Sequence, residues 1–192
     1  MPATSEEGGV VTNGMSNYAR NETNANSAII VPVTQADFGD GVLAGVEFQR
    51  KLERNAFIVG GSNYSAPVQR VEDFLKGRMT RALGEVTPSY ERGVTFAQMS
   101  SVLPVAVIDT LKSAVVDMDK KIKGFAHPDA ILTAVESRTS SPVRIERGDD
   151  MQSVTVPSVY PCGEGAGYAG GITSSAADGI RVANAIFNKF ND

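Results

Sequence analysis

The chain has 192 residues, 42% of them hydrophobic and 21% charged, an ordinary globular balance that excludes wholesale disorder. Its net charge of −4 gives no electrostatic footprint for non-specific nucleic-acid binding, so no nucleic-acid partner is expected. One Cys and one His exclude an intrachain disulfide and a Cys/His zinc site, which takes about four ligands, and no metal is expected.

A serine-hydrolase triad would have to use His127. No stretch approaches the roughly 20 apolar residues of a membrane span. The start, MPATSEEGGVV, lacks the basic and apolar regions of a secretory signal. The expected location is the cytoplasm, without a membrane partner.

Residues 1–27 are polar, with five Asn between Asn13 and Asn26. They read either as disordered or as a long loop lining a polar site. Ala28 to Val33 reads as a short strand, pushed toward an edge by Pro32. Thr34 and Asp37 resemble a capping pair. The helix expected after them carries Val42, Leu43, Val46, Leu52 and Phe57 on an apolar face. Its charges Glu47, Arg50, Lys51, Glu53 and Arg54 read as a solvated face. Gly60-Gly61 stops it.

Pro67 near a first turn and Gly77 past an end predict a second helix, with Val68, Val71 and Leu75 on one face. Arg78 to Arg81 is a short basic loop. Thr95 to Ser101 reads as a short helix. Pro104 opens a longer one to about Ile122, with Val107, Ile108, Leu111, Val115, Met118 and Ile122 at helical spacing. Ile131 to Val135 and Val143 to Ile145 read as strands joined through a turn at Ser140-Ser141-Pro142. Arg147 to Ser153 is a loop, and Val154 to Tyr160 is extended. A final helix from about Thr173 to Phe190 has Ala177, Ile180, Ala183 and Ile186 to bury.

Between these last two segments, five glycines fall within nine residues, from Gly163 to Gly171. Gly165 to Gly170 fits G-x-G-x-x-G, but the 22 residues left after it read as one helix. A dinucleotide fingerprint needs a second strand and an acidic residue about 20 positions on, so the match is not a Rossmann opening. Glycines still let backbone approach a ligand, and the following helix offers unpaired N–H groups. The loop suits a nucleotide or a flavin ring; a tight connection without ligand is the structural alternative. Cys162 beside it reads as a small buried residue, and His127 as a surface or structural one.

The segment YPCGEGAGYAGGITSSAADGIRVANAI (160–186) resembles the C-terminal flavin motif of two-dinucleotide-fold flavoproteins. More closely, the chain is similar to bacterial FAD-dependent, NAD-utilizing dehydrogenases. The similarity runs through SEEGGVVTNGMSNYARNETNANSAIIV (5–31), GVEFQRKLERNAF (45–57), GEVTPSY (84–90) and KIKGFAHPDAILTAVESRTSSPVRI (121–145). Members of that family are longer and carry an upstream FAD-binding domain, which this sequence lacks.

The resemblance therefore implies the C-terminal portion of an FAD-dependent oxidoreductase, incomplete by itself. The implied fold is α+β, with residues 1–155 as a substrate-side domain. Residues 156–192 would be a strand, glycine loop and helix that complete the FAD-binding domain. The implied cofactor is FAD, with NAD(P)H as an electron donor, and the implied partners are the upstream domain and a small-molecule substrate.

By position, Glu164 would contact the ribityl chain. The N–H groups of Gly170, Gly171, Ile172 and Thr173 would face the pyrimidine edge of the flavin, with Gly163 and Gly165 completing the loop. A helix N-terminus there stabilises negative charge. Asn13, Ser16, Tyr18, Arg20, Asn24 and Asn26 are candidates for lining the flavin face. Arg138 suits a carboxylate or phosphate, or else pairs with Glu136 or Glu146. A stand-alone nucleotide- or anion-binding module without redox activity is the alternative function.

Overall fold

A computed structural model describes residues 5–14 and 16–191. The start of the N-terminal segment read above for a secretory signal lies outside them. The described chain is α+β, with five α-helices and one three-stranded mixed sheet. In order these are α1 (Gln35–Phe38), α2 (Ala44–Val59), β1 (Ala66–Arg70), α3 (Val71–Leu75), β2 (Val94–Phe96), a 3₁₀ turn (Met99–Ser101), α4 (Val105–Lys121), β3 (Ile131–Thr133) and α5 (Ile172–Asn191). The chain divides into two compact units. One holds the described residues up to Thr34 with Phe48–Ser137; the other holds Gln35–Glu47 and the described residues from Arg138 on.

The first unit is built on β1, flanked by β2 in parallel and β3 in antiparallel. Its core joins Val10, Leu52, Ala56, Phe74, Met99, Val102, Ile108, Ala134 and Val135. Helix α4 follows its 3.6-residue period: Pro104 precedes its first turn, Ile108 and Val115 are buried, and Lys120 and Lys121 close it beside the negative dipole end. Met118 and Ile122, expected on the same face, are 36% and 60% exposed.

The segment 66–75 corrects the helix expected there. Ala66–Arg70 is the central strand, and only Val71–Leu75 is helical. Proline is normally excluded from a central strand because it cannot donate to the ladder. Here Val68 pairs with Thr133, so Pro67 faces the position just past the end of β3. There its carbonyl accepts from Ala134 N–H at 3.0 Å, and the bond its missing N–H forfeits is only the return bond of that closing pair. The helix expected over 95–101 is likewise β2 followed by a 3₁₀ turn.

Other expectations also change. The strand expected over 28–33 has no ladder among the described residues, nor has that over 143–145. The first long helix is broken: α1 stops at Phe38, Gly39 takes a left-handed φ of +93°, and α2 begins at Ala44. Val42 and Leu43 thus fall in the break and are exposed. Glu53, read as part of a solvated face, is 1% exposed and accepts from Ser137 Oγ at 2.6 Å. The N-terminal segment is anchored in part: Val10 N–H donates to Glu53 O and Thr12 N–H to Val135 O, and both residues are buried. From Asn13 to Thr34 the described residues form neither helix nor strand.

Candidate functional site

In the second unit the glycine loop is tied down by a pair that sequence reading did not single out. Asp178, in the second turn of α5, has a side chain only 2% exposed. It takes both ends of the Arg147 guanidinium, at 2.7 and 2.9 Å, in a bidentate ion pair. Its Oδ2 also accepts from Gly163 N–H at 2.9 Å. These bonds from Arg147 and Gly163 hold the Asp178 carboxyl far below the usual carboxylate range, against the upward push of burial. Arg147 spends a further N–H on Pro161 O at 2.7 Å.

Tyr168 completes the clamp. Its ring lies under the guanidinium groups of Arg147 (3.7 Å) and Arg144 (4.3 Å). Its hydroxyl accepts from Arg147 N–H and donates to Ile145 O, each at 3.1 Å. Its own N–H returns to Gly163 O at 3.0 Å. The loop is a run of turns, with no strand leading into it: 154–162 has no ladder and is bent or turned along much of its length, following a single bridge between Arg147 and Ser153.

The glycines divide into two kinds. Gly163 and Gly167 take left-handed φ values of +69° and +81°, and Gly163 is buried. A side chain on Gly167 would meet Val143 O at 2.5 Å. These two serve the turn itself. Gly165 is exposed, and a Cβ there would meet nothing within 4 Å. Gly170 and Gly171 are exposed with ordinary clearances, and Gly171 N–H is held by Ser174 Oγ at 3.2 Å. Glu164 and Thr173 are exposed, and Ile172 is 94% exposed. Ser175 Oγ, on the first turn of α5 against Gly163, is buried with no hydrogen-bond partner among the described residues.

Cys162 is exposed rather than buried, between a buried Pro161 and a buried Gly163. The turn takes its neighbours inward and leaves its thiol outside. Arg138 is exposed and engaged in interactions. In the first unit, Asn13, Ser16, Tyr18, Arg20 and Asn26 are exposed. Asn26 Oδ1 occupies the space a side chain on Gly14 would need, and Asn24 donates to Thr87 O at 2.7 Å. His127 is exposed and its Nδ1 accepts from Asp129 N–H, a turn contact. Among the described residues no helix is long and apolar enough to cross a membrane.

Helix α5 presents the reverse of the expected faces. Its buried residues are Asp178 and Val182. Of the four residues expected inside, Ala177, Ile180 and Ala183 are exposed and Ile186 is half-buried. At 3.6 residues per turn, Ile172, Ala176, Ile180, Ala183, Phe187 and Phe190 share one face, and all are exposed. Ile180, Phe187 and Phe190 are 62%, 66% and 73% exposed. Asp178 displaces this stripe, because the Arg147 pair turns the opposite side inward.

The family described as FAD-dependent protein, C-terminal domain-like matches residues 1–139. An uncharacterized protein of Clostridium beijerinckii is 53% identical over 190 residues, 98% of this chain. The chain spans 36% of that relative's length. The family match covers most of the chain, and the chain belongs to that family.

Proposed function

We propose that this family member acts as the C-terminal portion of an FAD-dependent oxidoreductase. In this reading residues 1–155 form the substrate side, and 156–192 complete the flavin domain. The observation that carries it is the apolar stripe of α5 beside an open glycine loop. Contiguous exposed apolar surface of this kind marks a contact to be covered. The similar Clostridium protein is nearly three times as long as the matched segment, so more chain is at hand to cover it.

The loop fits a flavin in its donor set. Gly165 leaves open space for close approach, Glu164 is exposed to take ligand hydroxyls, and the buried Ser175 Oγ beside Gly163 has no hydrogen-bond partner among the described residues. Gly170, Gly171, Ile172 and Thr173 stand at the positive end of a 20-residue helix, which suits an anionic pyrimidine edge. Bound FAD supplies hydride transfer, with NAD(P)H as donor and a small-molecule substrate; the protein's part is binding, orientation and electrostatics.

The test is a chimera in which this chain replaces the matching segment of the Clostridium relative, read by bound-flavin absorbance. The intact chimera is expected to hold FAD, and the 192-residue chain alone to hold little. Ile180→Asp with Phe187→Asp is expected to cut flavin content by about tenfold or more, since burying charge on an apolar contact costs several kcal/mol. Glu164→Ala lowers it less. Stoichiometric flavin on the isolated chain, or full flavin in the doubly charged chimera, would overturn the reading. Binding of colourless nucleotides without flavin would instead point to a stand-alone module.

A further inference from the structure

The loop after α3 is held with unusual thoroughness. Asp73, 4% exposed, accepts from Arg78 Nε at 2.6 Å and Thr80 Oγ1 at 2.8 Å. Thr80, 2% exposed, accepts from Arg70 N–H at 3.0 Å. Gln69 donates to Arg78 O at 2.8 Å. Asp129 binds Arg70 and accepts from Glu85 N–H, filling the space where Gly84 lacks a side chain. Burial pushes the Asp73 carboxyl up, but its bonds to Arg78 and Thr80 and the charge of Arg70 bring it below its ordinary value, so the network stays charged.

This scaffold presents an outward ledge that its own needs do not explain. Met79 and Leu83 are 47% and 39% exposed. Arg70 and Arg78 share the carboxylates of Glu72, Asp73 and Asp129, whereas Arg81, exposed beside them, has no ion pair or hydrogen bond among the described residues. Together with Arg70, Asp73 and Arg78, these residues line an open groove of about 480 Å³. That volume lies within the roughly 300–1,000 Å³ of small-molecule sites.

We infer that the Arg78–Leu83 ledge is a binding site for a small amphiphilic anion. Arg81 and the outer edge of Arg78 take a carboxylate or phosphate head, and Met79 and Leu83 take a short apolar chain. An arginine suits either head group through its planar fork of donors. The paired acids around Arg70 and Arg78 disfavour a large polyanion and leave room for one small anionic head group. The site lies wholly within the first unit and its test needs no flavin, so it fails or stands separately from the flavin reading.

The experiment is a titration of the full 192-residue chain, followed by the amide signals of Met79–Leu83 and the arginine Nε–H signals. Octanoate and octyl phosphate probe the two head groups; 1-octanol and acetate each lack half the ligand. Octanoate or octyl phosphate is expected to move these signals saturably, and whichever binds more tightly names the head group. Arg81→Gln, a change at an exposed side chain, should weaken binding about tenfold, the worth of one charged contact. Leu83→Ser should abolish the advantage of octanoate over acetate. The inference is overturned if octanol matches both anions, if Arg81→Gln binds like wild type, or if neither anion moves the ledge signals.

Discussion

Asp178→Asn is expected to destabilise the second unit by about 3 kcal/mol, the lower end of the cost of breaking a buried ion pair. The carboxylate now accepts from Arg147 on both oxygens and from Gly163 N–H. An asparagine amide has one acceptor and one donor side. Whichever way it turns, an N–H meets an N–H. Arg147, with a side chain only 7% exposed, then keeps Pro161 O, the Tyr168 ring and one amide oxygen as partners but has lost its bidentate countercharge. Denaturant unfolding of the second unit and hydrogen exchange at Gly163 N–H measure the loss.

Replacing both partners, Arg147→Met with Asp178→Leu, should recover the part due to the unpaired charge, while Gly163 N–H still lacks its acceptor. The pH dependence has a defined sign. The folded pKa of Asp178 is depressed, so its stabilisation is complete above the unfolded value of about 3.9 and is lost as pH falls below it. Asp178→Asn should flatten that acid limb. A variant within about 0.5 kcal/mol of wild type with an unchanged acid limb would remove the pair from this role.

The same pair explains why sequence reading succeeded in one helix and failed in another. Helix α4 was legible because its period, its opening Pro104 and its closing lysines are all local signals. The turned face of α5 was not, because what buries Asp178 is Arg147, 31 positions away. Asp178 as the only acid in that helix was the available signal. Residues 66–75 failed for a related reason. Ala66 to Arg70 is a strand only by pairing with 94–96 and 131–133, and Pro67 reads locally as a helix start. The helix face that carries Glu53 looked solvated because nothing local announces Ser137, 84 residues away, as its partner. The glycine loop and the family resemblance were legible, since both rest on consecutive residues. Which glycines the fold needs was not, because that depends on contacts and φ angles that only the folded loop shows.

That division of the glycines yields the sharpest test of what the loop is for. Gly167→Ala is expected to cost about 2–4 kcal/mol, combining a left-handed φ with overlap on backbone. Its φ is +81°, and the new Cβ would sit 2.5 Å from Val143 O and 3.0 Å from Arg144 Cα. Gly165→Ala meets nothing within 4 Å and no left-handed φ. Its stability should hold, or rise by up to about 1 kcal/mol as the unfolded chain loses freedom. A connection that served the fold alone would therefore tolerate alanine at 165 in every assay. If the flavin reading is right, Gly165→Ala in the chimera lowers bound flavin without lowering the melting temperature, because the methyl fills space kept for a ligand. Unchanged flavin in Gly165→Ala, alongside a destabilised Gly167→Ala, would leave the glycine cluster as a device of the turn and place any cofactor contact elsewhere.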